Sequence, residues 1–448
     1  MIAAILALAL AAPAETAPPA ASASAAASAA PASPVVLTLD GALATARAHQ
    51  PQLVQASAAT QAAEARADES LAGVLPQVSG NANYQRSTAN FTSRPGSLPS
   101  QISASAGRES WESFDYYNLG VQASVPVYDF GQARHRWRAS QAGAASQHES
   151  ERTTLQLVMF TVRSAFVQAQ GAKGLVAVAH DTLANQQKHL EQTQGFVEVG
   201  TQAPIALAQV KTSVANAQVQ VITAENGYET AKAQLNQAMG VEGALEFDVA
   251  DDPLPALEGE DGTPDALLAE AIGARPEMTA LADQVRAEEL TVSALKGAYG
   301  PSLDFDTGVT DAGVRTNDLT WNWNAALLLS VPIYSGGQRK AQVREAEANL
   351  VVNRAQVDLE RQQIRLDVEQ ARLAVRAARA ALVASAEARD NAHEQLRLAE
   401  GRYVTGSGGI IELGDAQVAY TAAAQQDVVA AAALAQARAL LLKALGRG

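Results

Sequence analysis

Two long stretches of the chain place apolar residues at alternating steps of three and four. In the first the series is Leu155, Val158, Val162, Ala165, Ala169, Ala172, Val176, Ala179 and Leu183; in the second it is Ile364, Val368, Ala371, Val375, Ala378 and Leu382. This is the 3.5-residue period of coiled-coil helices. It predicts two very long helices, from about Gly131 to Val199 and from Gly337 to Thr405, each roughly 100 Å long at 1.5 Å per residue. The second carries a further stripe, Val352, Leu359, Leu366 and Leu373, on a different face. A helix with two apolar seams needs a neighbour on each side, as in the wall of a helical tube. A cytoplasmic coiled coil, the alternative, needs only one seam.

Other segments alternate apolar and polar residues, the period of a strand with two unlike faces. Val78, Ala82 and Tyr84 alternate with Ser79, Asn81 and Asn83, and Leu119, Val121, Ala123 and Val125 with Asn118, Gly120, Gln122 and Ser124. Later, Leu303, Phe305 and Val309 alternate with Ser302, Asp304 and Gly308, and Trp321, Trp323, Ala325, Leu327, Leu329 and Val331 with Asn322, Asn324 and Ser330. Strands are therefore expected near 77–86, 117–126, 302–310 and 321–332, each about the length of a tilted membrane strand. A barrel with lipid outside and water inside requires one apolar and one polar face per strand. Trp111, Phe114, Tyr116, Tyr117, Trp321 and Trp323 fall at the loop ends of these segments, where amphipathic rings mark a membrane interface. A soluble hairpin with exposed aromatics is the plainer reading of such a cluster. Four strands cannot close a barrel, and an open edge in hydrocarbon leaves unpaired backbone groups at several kcal/mol each. Strands that span a membrane here must be pooled among several copies.

The chain repeats itself. Val125-Pro126-Val127-Tyr128-Asp129-Phe130-Gly131-Gln132 returns as Val331-Pro332-Ile333-Tyr334-Ser335-Gly336-Gly337-Gln338, an offset of 206. Gly195, Gly200 and Gly240 recur as Gly401, Gly406 and Gly446 at the same offset, while Leu43, Pro51 and Pro76 recur as Leu268, Pro276 and Pro301, 225 positions on. The difference of the two offsets places 19 extra residues between Pro76 and Pro126, a longer loop in the first half. Each half reads as helix, hairpin, very long helix, break, helix. The expected layout is repeat 1 over 35–240, an acidic connector over 241–263 with Asp251, Asp252, Glu258, Glu260 and Asp261, and repeat 2 over 264–448. Ahead of these, 1–14 has the short apolar run and Ala12-Pro13-Ala14 site of a secretory signal peptide, without the usual basic start. Residues 15–34 are nearly all Ala, Pro and Ser and read as a disordered leader.

Composition agrees with a thin helical wall. Apolar residues make up 48% of the chain but aromatics only 5%, too few large side chains for a compact interior of this size. Alanine enters helices at no side-chain entropy cost and lets their axes approach closely. The net charge of −14 is the wrong sign for neutralising nucleic-acid phosphates. There is no cysteine, which removes disulfides, thiolate chemistry and a lipid-bearing cysteine from the expectations. No stretch reaches the 18 apolar residues of a spanning helix.

No catalytic, cofactor or metal site is expected. His49, His135, His148, His180, His189 and His393 are scattered over helix faces without a metal-ligand spacing, and read as surface residues. Gly406-Ser407-Gly408-Gly409 lacks the following Lys-Ser/Thr of a phosphate loop and reads as a helix break.

Taken in order, these pieces resemble the TolC family of outer-membrane efflux proteins over residues 36–446. The carriers are Leu39-Asp40-Gly41-Ala42-Leu43 with Pro51, the two Val-Pro-x-Tyr strand ends, and Phe196-Val197-Glu198-Val199-Gly200 with Arg402-Tyr403-Val404-Thr405-Gly406. The Gln209 and Gln417 regions lead on into Ala-rich helices. The resemblance implies a mainly α chain with a membrane β-barrel: a homotrimer in which twelve strands form one barrel and twelve helices continue it as a periplasmic tube. It also implies outer-membrane lipid around the barrel, docking to a periplasmic adaptor, and an inner-membrane pump of RND, ABC or MFS type, in efflux or type I secretion. The duct itself is passive. At its periplasmic aperture the matching positions are Tyr403, Gly406, Glu412 and Asp415, with Gln202 and Gln209 from repeat 1. Three copies of Asp415 around an axis would form a cation-attracting ring; a solvated acid near a helix start is the alternative. Gly408 stands where the family's best-known members have an arginine, so a salt-bridged lock is expected to be weaker here and the gate to rest on packing and hydrogen bonds. The competing reading of the whole chain is a periplasmic adaptor or coiled-coil scaffold.

Overall fold

A computed structural model of the protein describes residues 35–88, 111, 113–242, 247–252, 254–260 and 262–447. The signal peptide, the leader and most of the longer first loop lie outside these residues. Repeat 1 runs β1 (Val35–Leu37), α1 (Leu39–His49), α2 (Pro51–Ala72), β2 (Gln77–Thr88), β3 (Ser113–Tyr128), α3 (Gln132–Glu198) and α4 (Pro204–Met239). After β4 (Phe247–Val249), repeat 2 runs α5 (Pro264–Ala274), α6 (Pro276–Gly297), β5 (Ser302–Gly313), β6 (Thr320–Ser330), α7 (Gln338–Val404) and α8 (Ile410–Ala444).

Prolines and glycines set the ends of these elements. Proline occupies the first turn of α2, α4, α5 and α6, where its missing N–H is no loss. The residues before two of them, Gln50 and Arg275, are extended as proline requires. Each break receives the end of another helix. Gly240 closes α4 at φ 73° and Gly446 follows α8 at φ 73°. A Cβ on Gly240 would lie 2.6 Å from Gln50 Cα, and one on Gly446 would lie 3.0 Å from the Ala274 carbonyl carbon. The Gln50 amide nitrogen donates to the Ala238 carbonyl at 2.8 Å, tying the junction in repeat 1. Only glycine offers both the left-handed turn and the close approach.

The two long helices are 67 residues each. Their cores are the same residues shifted by the repeat. Val158, Val162, Ala165 and Ala169 of α3 pack with Leu235 and Met239 of α4 and Ala42 and Ala46 of α1. Ile364, Val368, Ala371 and Val375 of α7 pack with Leu441 of α8, Leu445 beyond it, and Leu267 and Ala271 of α5. Outside these clusters the two helices differ. Along α3, Ser146 donates to the Ala280 carbonyl of α6 at 2.8 Å, and Val167 is buried with Leu254 and Ala439 of α8. The corresponding stripe of α7, Val352, Leu359, Leu366 and Leu373, is 63%, 58%, 49% and 49% exposed.

The hairpins join into one antiparallel sheet of order β2-β3-β5-β6, the two repeats meeting at β3 and β5. The strand expected near 117–126 extends over Ser113–Tyr128, and the one expected over 321–332 spans Thr320–Ser330, leaving Pro332 outside the ladder it cannot donate to. The register aligns one face across the sheet. Val121 pairs with Gly80 and Val309, which pairs with Trp323, and Phe305 pairs with Val125 and Leu327. Opposite it lie Ser79, Gln122, Gly308 and Asn324 in one row.

The connector is not a solvated linker. β4 pairs in parallel with β1, and Lys173 of α3 holds Asp248 at 2.7 Å. Glu260 is buried, accepts from the Leu257 N–H at 3.0 Å and pairs with Arg379 of α7 and with Arg438 of α8 at 3.2 Å. Burial pushes its carboxyl up, but the Leu257 N–H and the two guanidiniums outweigh that and hold it below the usual range. An acidic run reads as solvated because the sequence does not show which distant arginines will face it.

A lowered carboxyl contributes stability above the unfolded-state value, lost as pH falls through the folded-state one. Glu260→Gln is therefore expected to cost about 2 kcal/mol at neutral pH, below the range for a fully buried pair because Arg379 reaches water. The gap to wild type should close as the pH drops below the ordinary carboxylate value of 4.5. Thermal melts followed by circular dichroism across pH measure this; an unchanged midpoint at neutral pH would contradict it.

Candidate functional site

Two regions concentrate the predicted positions. At the loop end of the sheet, Trp321, Trp323 and Tyr117 share the apolar face. Tyr117 stacks on Tyr84 with ring centroids 5.1 Å apart, and Trp111 stands 98% exposed just before β3. Tyr116 departs from the expectation: it pairs with Gln85 and lies on the opposite, polar face with Asn118 and Gln122. Adjacent residues of a strand point to opposite sides, so Tyr116 and Tyr117 cannot both belong to one belt.

A second aromatic group lies at the other end, where strands pass into helices. Tyr128, Phe130, Tyr299 and Tyr334 are exposed there, with Tyr128 and Phe130 edge to face at 5.0 Å. Trp323 lies near the loop end of β6 and Tyr334 four residues beyond its other end. The duplicated Val-Pro-x-Tyr motif marked this place in the sequence as a repeat boundary.

The other region is the far end of the long helices. Both hairpin tips turn through a left-handed glycine, Gly200 at φ 77° and Gly406 at φ 73°. Tyr403 is the centre, 1% exposed. Its hydroxyl donates to Gln202 Oε1 at 3.1 Å and lies 2.8 Å from Thr193 Oγ1, while its ring meets Phe196 edge to face at 5.7 Å. One turn up, His189 is 4% exposed, not on the surface as its isolated position implied. Nδ1 donates to Gln192 Oε1 at 3.3 Å, and Nε2 stands 3.5 Å from Glu400 Oε1. Burial pulls the imidazole below its ordinary value, against the hydrogen bond to Gln192 and the attraction of Glu400.

Glu412 pairs with Arg402 at 2.6 Å across the turn. The pair lies within the tip of one hairpin and joins no second one. Gly408 is what makes room for it, since a Cβ there would lie 2.9 Å from Arg402 Cβ. Asp415 and Gln209 are exposed, and Asp415 has no ion pair among the described residues. The structure thus brings Tyr403 and Gln202 together, places Glu412 and Gly406 in one turn, and leaves Asp415 and Gln209 facing solvent. Thr193, Phe196, His189, Glu400 and Arg402 complete the region. Only Phe196 and Arg402 stood in a motif that pointed toward it.

The fold is shared with solved outer-membrane channels. CusC superposes with a TM-score of 0.80 at 19% identity over 93% of each chain. VceC, an outer membrane protein of Vibrio cholerae, gives 0.79 at 16% identity over 91% of this chain and 96% of its own. Among similar sequences, the fusaric acid resistance protein FusA of Burkholderia cepacia is 24% identical over 70% of this chain and 58% of its own length. The outer membrane efflux protein BepC of Brucella suis is 22% identical over 72% and 66%. The matches thus span under two thirds of these relatives. The family model described as outer membrane efflux protein matches residues 42–241 and 267–447, most of both repeats. The chain belongs to the outer membrane efflux protein family.

Proposed function

We propose that the protein is the passive exit duct of a tripartite efflux or type I secretion system, working as a homotrimer in the outer membrane. The observation that carries this is the sheet: four strands with one face largely apolar, interrupted by Thr307 and Asp311, open edges at β2 and β6, and two 67-residue helices running from it. Placed side by side, β6 of one copy and β2 of the next run antiparallel, so three copies close twelve strands without an unpaired edge. The two aromatic groups bracket the strands, as the aromatic girdles of an outer-membrane barrel do. Members of this family are channels rather than enzymes, and the mechanism asks for no reacting group. Cargo passes down a tube whose energy comes from an inner-membrane pump of RND, ABC or MFS type, joined through a periplasmic adaptor.

The exposed stripe of α7 supports the same assembly. Inside one chain, repeat 2 covers the matching positions of α3. Repeat 1 of the next copy would cover α7 in the same way, a head-to-tail contact that closes into a ring. At the aperture, Asp415 lies exposed in the second turn of α8, and three copies about the axis would attract cations.

The protein should sediment with outer membranes and run as a trimer in mild detergent; a soluble periplasmic monomer would instead favour an adaptor or scaffold. A cysteine at Leu327 should resist water-soluble thiol reagents in the assembled trimer, and free reactivity there would remove lipid from the apolar face. In single-channel recordings, Asp415→Ala should lower the cation-to-anion permeability ratio by about twofold or more. An unchanged ratio would leave Asp415 a surface acid.

A further inference from the structure

The duplication carries contacts from one kind of seam to the other. α3 and α7 lie 206 positions apart, as do α4 and α8, and their buried residues coincide under that shift. Val158, Val162 and Leu235 answer to Ile364, Val368 and Leu441. Inside one copy, α3 of repeat 1 meets α8 of repeat 2. In a closed ring, α7 meets α4 of the next copy in the same way. Two hydrogen bonds of the first seam survive the transfer. Gln156 donates to the Gly446 carbonyl at 2.9 Å, and Gln436 donates to Ser164 Oγ at 2.9 Å. The counterparts of the first are Gln362 and Gly240, the same two residue types. Those of the second are Thr230 and Gln370, the same bond with donor and acceptor exchanged.

One patch changes its chemistry. Between α3 and α8 lies a hollow of about 310 Å³, lined by Gln170, Ala431 and Ala435 together with Val167, Leu254 and Val428. Shifted by 206, Gln170 becomes Arg376, and Ala431 and Ala435 become Glu225 and Glu229. An uncharged set is thus replaced by a cation on α7 and two anions one turn apart on one face of α4. In their own copy, Glu225 meets His180 at 3.2 Å and Glu229 meets Lys232 at 3.1 Å. Arg376 makes no ion pair among the described residues, and Glu369, whose charge it feels, is held by Arg372 at 2.6 Å.

We infer that Arg376 of one copy pairs with Glu225 and Glu229 of the next, an ion-pair cluster that joins the copies at the level of the connector. This rests on the trimeric reading. Opposite charges stand together at matched positions of one seam, and none stands at the equivalent positions of the other. Each would be costly alone: a lone guanidinium in a covered seam, or two carboxylates facing alanines. Inside a copy this level is tied by Glu260 of the connector, which reaches Arg379 and Arg438. Between copies the helices supply both signs themselves, and complementary charge fixes the register in which a second copy docks.

Dissociation of the full-length trimer after dilution in mild detergent, followed by size, tests this. Arg376→Glu should speed dissociation at least tenfold in the otherwise natural chain. In a Glu225→Ala, Glu229→Ala background the same change should speed it less than threefold, because the charges it would repel are gone. A second measurement does not depend on charge reversal, and the absence of natural cysteine keeps it clean. With a short bis-methanethiosulfonate linker, Arg376→Cys with Glu229→Cys should give a covalent trimer on denaturing gels. Gln170→Cys with Ala435→Cys, the equivalent pair inside a copy, should stay at monomer mobility. Equal effects of Arg376→Glu in both backgrounds, or no covalent trimer from a chain that is otherwise trimeric, would overturn the inference. A natural chain that is monomeric in mild detergent would remove the ring itself.

Discussion

An apolar helix face must be covered, and the chain covers that of only one of its two long helices. α3 has α2 and α4 from its own repeat and α6 and α8 from the other. Apart from its tip, where Glu400 and Tyr403 meet α3, α7 packs mainly on α5, α6 and α8 of its own repeat, and it keeps a stripe of Val352, Leu359, Leu366 and Leu373 in the open. The same incompleteness recurs in the sheet, where β3 and β5 are paired on both sides while β2 and β6 each keep a bare edge. One copy is therefore a complete repeat 1 and a repeat 2 that lacks its neighbour. The ring closure proposed above would satisfy both deficits at once.

Within that ring, duplication supplies economy and divergence supplies function. The cores of the two repeats are kept in register to the residue, because long helices packed at alanine seams tolerate little change in volume. The tips have diverged. Tyr403 and Arg402 in repeat 2 answer to Val197 and Phe196 in repeat 1, and Gln202 answers to Gly408. Each of these differences turns what would be a sixfold-like set of contacts into a threefold one.

The middle of the molecule shows the opposite tendency. Lys173, Asp248, Tyr228 and Glu260 tie the connector to helices of both repeats. The Tyr228 hydroxyl, held by burial and by Asp248, is pushed up to about 12 and stays protonated to donate that bond. Bonds of this kind tie the two repeats together at the level of the connector.

Periodicity, offset and alternation are local properties, and they carried the reading a long way: the helices, the strands, the duplication and the need for partners can all be read along the chain. The repeat-shifted cores follow from the same 3.5-residue rhythm that announced the helices. What the chain alone could not decide was which distant groups meet. His189 lies buried because α7 brings Glu400 and Tyr403 against α3, more than two hundred residues away in sequence. Glu260 is a core residue because Arg379 and Arg438 converge on it, and Tyr116 faces away from Tyr117 because the register set the strand's sides. Burial and ion pairing depend on three-dimensional neighbours, and no one-dimensional pattern encodes them. Only the tertiary structure brought those groups into contact.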